Sequence, residues 1–324
     1  MRALVTGGRS RRDCSRRVRL PGGRLAACVL ALSAVTTLTV FTGCATRQPP
    51  GPPVPESLLL TGYSAWFAAD VDGNRDLLRS VLGELETDLE FVDRTQRIVG
   101  GVRLAAGGPG TPADIAAVAI GRYPTGWTRF ALGVDRAFAR HIVRVDDRRR
   151  IYYQERDGSL QLALAERDLL YMSSGRIAEM LADRPPAELE LDPDLYRMLR
   201  SVGLPGEPAA LLVFENPGQS VLQPLGLEVP AVPLVRMALS LDTAEADRLS
   251  FGGTFVFRTE RDAALFSRIG RLFVVVFVRS LGLEGAVAQQ TRIGVDGTAV
   301  TFTGIPVAPE QLTSLVRRLQ QEGP

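Results

Sequence analysis

From Tyr63 onward, short runs of alternating or continuous apolar residues stand between amphipathic stretches of helical period. Tyr63 to Ala69 predicts a strand and Asp72-Gly73-Asn74 a turn or cap. Leu77, Leu78, Val81, Leu82 and Leu85 then fall on one face of a helix. Ile98 to Leu104 and Ile115 to Arg122 predict strands around the Gly107-Gly108-Pro109-Gly110 loop, and Thr125 or Gly126 starts a helix carrying Phe130, Val134 and Phe138. From His141 to Ser173 the runs shorten and tight turns divide them, at Asp146-Asp147, Asp157-Gly158 and Glu166-Arg167-Asp168. Asp-Gly tolerates the positive φ of a hairpin turn, so this stretch predicts an antiparallel meander, closed by a short helix from Gly175 to Ala182.

A charged connector, Pro185 to Leu191, leads into a helix with complete punctuation. Asp192 suits the N-cap, Pro193 the first helical position and Gly203 the stop, while Leu195, Met198, Leu199 and Val202 share a face. Beyond it the first pattern returns. Ala209 to Phe214 answers Tyr63 to Ala69, Leu234 to Leu241 answers Ile98 to Leu104, and Leu249 to Phe257 answers Ile115 to Arg122. The hairpin around Asp296-Gly297 answers the one around Asp157-Gly158, and a last helix has Pro309 near its start and Leu312, Leu315, Val316 and Leu319 on one face. The two Asp-Gly turns lie about 140 residues apart, far beyond the period of a solenoid. The expected fold is α+β, a tandem duplication of an antiparallel sheet unit with helices packed on one face. The halves span residues 58–184 and 208–324, joined by a connector with a short helix at 185–207. They form either one continuous sheet or two domains.

Composition narrows the chemistry. All 38 basic residues are Arg, with one His and three Cys in 324 residues. Without Lys there is no Schiff base, no Ser-x-x-Lys hydrolase and no P-loop. One His cannot build the common zinc or iron sites, and His141 has no Gly-x-Ser-x-Gly elbow to serve, so it reads as a structural or surface residue. Asp70-Val71-Asp72-Gly73-Asn74 opens like a calcium loop. Arg75 then stands where that loop needs Gly and Val81 where it needs Glu, which makes a turn with a helix cap the better reading. Glu188, Glu190, Asp192 and Asp194 read as a solvated acidic edge.

Charge is unevenly spread. Residues 1–43 hold eight Arg against Asp13 alone, which leaves 30 Arg and 35 acids for the rest of the chain. A mildly acidic body without a basic stripe points away from nucleic acid. The Arg-rich head runs into an apolar stretch from Leu25 to Phe41, the pattern of a secretory signal peptide. The end of that stretch, Phe41-Thr42-Gly43-Cys44, resembles the lipobox of bacterial lipoproteins. The resemblance implies a signal peptide over residues 1–43 and Cys44 as an acylated mature N-terminus. An uncleaved membrane anchor and simple secretion are the alternative readings of the same run. Loss of Cys14 and Cys28 with the signal would leave no thiol for a disulfide. Residues 44–57 are Pro-rich and read as a semi-rigid tether.

One segment stands apart. Thr259, Glu260, Arg261 and Asp262 cap a helix that reaches Leu272-Phe273-Val274-Val275-Val276-Phe277-Val278, apolar on every side. Such a helix is either covered on both faces or packs one flank against a partner, an acyl chain or a second copy, and seven residues also permit a buried strand. The functional expectation is a membrane-anchored envelope lipoprotein acting as a non-catalytic binding or assembly module. No catalytic, cofactor or metal residues are assigned. Its partners would be the membrane, through the N-terminal lipid, and a protein or a second copy. The alternatives are a carrier of a lipid or other apolar ligand and, third, a carboxylate-based cell-wall hydrolase.

Overall fold

Alternation along each run decides which side chains enter the core, and here it builds one sheet with cores on both faces. The computed structural model describes residues 63–83, 89–103, 114–145, 147–156, 158–166, 168–181, 192–217, 233–245, 248–280 and 291–314. The signal, the tether and Cys44 lie outside them. The first half runs β1 (Ala65–Asp70), α1 (Arg75–Gly83), α2 (Leu89–Arg94), β2 (Thr95–Arg103), β3 (Asp114–Gly121), α3 (Thr125–Val134), β4 (Phe138–Val145), β5 (Arg148–Glu155), β6 (Gln161–Glu166), β7 (Leu169–Ser173) and α4 (Ile177–Met180). After α5 (Pro193–Ser201) the second half runs β8 (Ala210–Glu215), β9 (Leu234–Glu245), β10 (Arg248–Phe257), α6 (Glu260–Ser280), β11 (Arg292–Asp296) and β12 (Ala299–Val307).

All twelve strands join one sheet in the order β11-β12-β10-β9-β8-β1-β2-β3-β7-β6-β5-β4. Every pairing is antiparallel. Outward from the seam between β1 and β8, the first half reads β1-β2-β3-β7-β6 and the second β8-β9-β10-β12-β11, the same topology twice. The first half adds the hairpin β5-β4 at its edge. That addition corrects one expected equivalence. The Asp296-Gly297 hairpin joins β11 to β12, so its counterpart is β6-β7, whose turn holds Asp168, and not the β5-β6 connection at Asp157-Gly158. Asp157 itself is outside the described residues. An Asp-Gly pair marks a turn and carries no information about which hairpin it closes.

Successive residues of the central strands feed opposite faces. On one face Trp66, Val99, Val118 and Val213 pack with Ile177 and Met180 of α4 and with Leu195 and Leu199 of α5. On the other, Ile98, Ala117 and Ala119 meet Phe91 and Val92 of α2 and Leu132 of α3, with Leu78 of α1 alongside. The second half continues that face with an aromatic core. Phe255 lies 5.4 Å from Phe302, 5.3 Å from Phe266 and 5.1 Å from Phe273 by ring centroids, the last two rings belonging to α6. The helices that follow equivalent strands, α3 and α6, thus pack on one face together with α1 and α2. The shorter α4 and α5 cover the opposite face of the first half and the seam.

Capping fixes the helix ends as the residue types predict. Asp192 accepts from the Asp194 amide at 2.9 Å with Pro193 in the first turn. Thr259 accepts from the Asp262 amide at 3.2 Å. The stop at Gly203 has a second cause beyond its φ of +84°, because a Cβ there would sit 2.7 Å from the Asp70 Cβ.

Candidate interaction surface

Apolar residues on the outside of α6 repeat with a regularity the core does not require. Ala263, Phe266, Gly270 and Val274 face inward, and Leu265, Ile269, Leu272 and Val276 lie exposed on one flank at spacings of four, three and four. Leu272 leaves 67% of its surface open. Helical rotation puts this stripe beside Phe266 and Phe273, whose rings meet β10. On the inward face the Gly270 position lies against Ile293 of β11. Arg268, Arg271 and Arg279 are exposed on the same helix, and no acid follows Asp262 within it. Of the three readings the sequence left for this segment, the strand is excluded, and among the described residues one flank is uncovered.

The equivalent helix of the first half repeats the feature. Trp127, Phe130 and Val134 of α3 are all exposed, with Trp127 and Phe130 in an edge-to-face pair at 5.7 Å. Val134 leaves 63% of its surface open. The sequence pattern places Phe130, Val134 and Phe138 on one helix. Only Leu132 of the helix is buried, and Phe138 belongs to β4. The reason is a clamp: Tyr153 on β5 donates to the Arg129 carbonyl at 2.9 Å, and Arg129 donates to the Leu164 carbonyl at 2.8 Å, which turns the aromatic flank outward. Two topologically equivalent helices on one side of the sheet therefore present apolar flanks to solvent. Patches of this kind mark interaction sites more often than isolated exposed apolar residues do.

The titratable groups elsewhere are occupied with structure. Asp70 accepts from the Gly73 amide at 3.2 Å, the Asn74 side chain donates to the Asp70 carbonyl at 2.9 Å, and Asp72 pairs with Arg75 at 2.5 Å. The calcium-like run is a turn leading into α1. Asp192, besides capping α5, is bridged by Arg236, which also donates to Glu215 at 2.7 Å. These contacts hold the Asp192 carboxyl below its ordinary range, first through the Asp194 amide and then through Arg236. Asp194 pairs with Arg197, and Glu188 and Glu190 lie outside the described residues. His141 lies within β4 and stacks on Tyr152 at 5.0 Å. Burial pushes the Tyr63 hydroxyl up to about 12 and that of Tyr123 further still, where Thr95 shares a 2.9 Å hydrogen bond with it. Among the described residues no three His, Cys, Asp or Glu gather as a metal site, and no helix is long and apolar enough to cross a membrane.

Among the described residues the acid whose pKa rises is Asp242 on β9, because burial penalises its charge more than its hydrogen bond to Ser240 relieves it. A carboxyl with a raised folded pKa costs stability above that pKa, and the cost disappears as pH falls below it. Asp242→Asn is therefore expected to melt higher than wild type at neutral pH. The difference should vanish in acid, as measured by thermal unfolding across pH; a difference independent of pH would refute the assignment.

No protein-family model matches the chain, and no curated protein matches it in sequence. Solved structures do. Crystal form I of TP0453 superposes with a TM-score of 0.55 at 18% identity, covering 82% of this chain and 97% of that one. Crystal form III gives 0.55 at 18% identity over 82% and 98% of the two chains. Form IV gives 0.55 at 18% over 81% and 96%. The likeness shows the fold alone.

Proposed function

We propose that this chain is a membrane-anchored envelope lipoprotein that works through its surfaces as a non-catalytic binding or assembly module. The observation that carries the module reading is the repetition of an exposed apolar flank on α3 and α6, equivalent helices on one side of the sheet. The anchor rests on Phe41-Thr42-Gly43-Cys44 and the Pro-rich segment after it. A lipid at Cys44 would keep the helix-bearing side within reach of other envelope components, and lasting attachment by acyl chains takes more than one chain or a second contact.

Metabolic labelling with a fatty-acid analogue should mark the wild type and leave Cys44→Ala unlabelled. Equal labelling of the two removes the lipoprotein reading. A photo-cross-linking residue at Phe130 or Leu272 should give a discrete protein adduct in cells, and one at the exposed Arg200 on α5 should not. Adducts of equal yield from all three positions remove the module reading. A stoichiometric apolar molecule extracted from the purified chain would favour the carrier instead.

A further inference from the structure

The two ends of the sheet are edge strands of different character. An edge exposes unpaired backbone donors and acceptors, and proteins commonly protect it with charge. β4 follows that rule: Arg140 and Arg144 flank Ile142 on one face, so two β4 strands paired antiparallel about Ile142 would set Arg against Arg. β11 does not. Its sequence, Arg292-Ile293-Gly294-Val295-Asp296, reads as its own complement when a second copy runs antiparallel about Gly294. Arg292 then faces Asp296 of the second copy and Ile293 faces Val295, each twice by symmetry, and Gly294 faces Gly294 once on the axis.

Backbone direction agrees. Asp296 pairs with Ala299 across the two-residue Gly297-Thr298 turn, so Asp296, Gly294 and Arg292 aim their backbone groups at β12. The N–H and C=O of Ile293 and Val295 aim outward. In the pairing about Gly294 these are the residues that lie opposite one another, which gives four inter-chain hydrogen bonds and puts Gly294 at a non-hydrogen-bonded position. Among the described residues nothing pairs with the outer side of this strand, and Arg292, Gly294, Val295 and Asp296 are exposed while Ile293 is half-buried. On the helix side α6 contacts β10, β12 and β11, so its axis lies inward of the edge. Two copies would bring their α6 helices to about three strand spacings, roughly 14 Å, leaving room for the exposed Arg271 and Ala264 between them.

We propose that β11 is a self-association edge, through which two copies of this chain join their sheets into one continuous antiparallel sheet. The inference deepens the assembly half of the proposed function. It requires neither the acyl anchor nor the flank of α6 that bears Leu265, Ile269, Leu272 and Val276, because that flank faces away from β11.

Gly294→Cys supplies a direct test. An added Cβ at Gly294 meets nothing within 4 Å, so the substitution is tolerated. Facing Cα atoms at a non-hydrogen-bonded position are about 4.5 Å apart, within disulfide range. The purified full-length variant in detergent, oxidised with copper-phenanthroline, should convert to a disulfide dimer well ahead of the wild type and of Arg144→Cys on the β4 edge. In the Gly294→Cys background, Arg292→Asp and Asp296→Arg should each slow dimer formation roughly tenfold, since like charges then face each other twice, and the double exchange should restore it. The singles and the double are checked by thermal unfolding so that misfolding is not read as lost pairing. Cross-linking no faster than Arg144→Cys, or indifferent to the charge changes, overturns the proposal. Thiols left free at Cys44 without acylation would cross-link wild type and variants alike, so the excess over wild type and Arg144→Cys reads β11 whatever the acylation result, and failure here leaves the acylation result standing.

Discussion

Phe255→Ala is expected to cost about 3 to 5 kcal/mol of folding stability, the largest loss among single substitutions considered for this chain. Phe255 is 2% exposed and touches Phe266 and Phe273 on α6 and Phe302 on β12. Phe266 in turn lies 4.9 Å from Phe257. Rings at these separations interlock in stacked, tilted and edge-to-face arrangements, so the cavity left by one has no neighbour free to collapse into it. The melting temperature should fall by roughly 6 to 20 °C, at about 2 to 4 °C for each kcal/mol in a fold of this size. Phe255→Leu should lose much less, since most of the volume remains. A loss below about 1 kcal/mol for the alanine variant would mean that α6 is not held by these rings.

Glycine to alanine should act with opposite signs at two positions. At Gly121, the end of β3, a Cβ would collide with the Arg94 carbonyl oxygen and come within 2.9 Å of the Thr95 Cα. Both neighbours are backbone, and the Arg94 oxygen already accepts from the Arg122 amide at 2.7 Å, so no side chain can rotate to make room. Overpacking of this kind costs about 1 to 3 kcal/mol, and a backbone obstacle puts Gly121→Ala at the upper end. At Gly133, inside α3, an added Cβ meets nothing within 4 Å. Gly133→Ala should stabilise by about 0.5 to 1 kcal/mol by restricting the unfolded chain. Chemical denaturation of the two variants against wild type reads both signs at once, and a common direction would contradict the packing described.

Local signals account for what the sequence made visible. Asp192, Pro193 and Gly203 bound α5 because capping needs only neighbours in the chain, and the apolar runs of β1, β2, β3 and β8 to β10 are legible because central strands are buried on both faces. α2 was not anticipated, since the six residues Leu89–Arg94 are too few to display a helical period. Periodicity puts Phe130 and Val134 on one helix and says nothing of which way they face. An apolar stripe looks the same whether it faces a sheet or a partner, and only the clamp from Tyr153 and Arg129 fixes the rotation of α3. The edge position of β11 depends on the pairing of β12 with β10 across about 50 residues, which no short window contains. The repeat of strand order was visible, and the inserted β4-β5 hairpin that displaces the turn equivalence was not.

The seam between β1 and β8 governs the order in which the molecule can form. Ala65 pairs with Phe214 across a loop of about 150 residues, whereas β1 meets β2 and β9 meets β10 through far shorter closures. Each meander can condense on its own chain segment first, and the long-range closure follows more slowly. Until β8 emerges from the ribosome, β1 displays an unpaired edge carrying Ala65-Trp66-Phe67-Ala68-Ala69, an apolar run whose first charge is Asp70 at the strand end. A nascent first half is thus adhesive, and its survival depends on how quickly the second half is delivered or on a chaperone that holds the edge of β1 meanwhile.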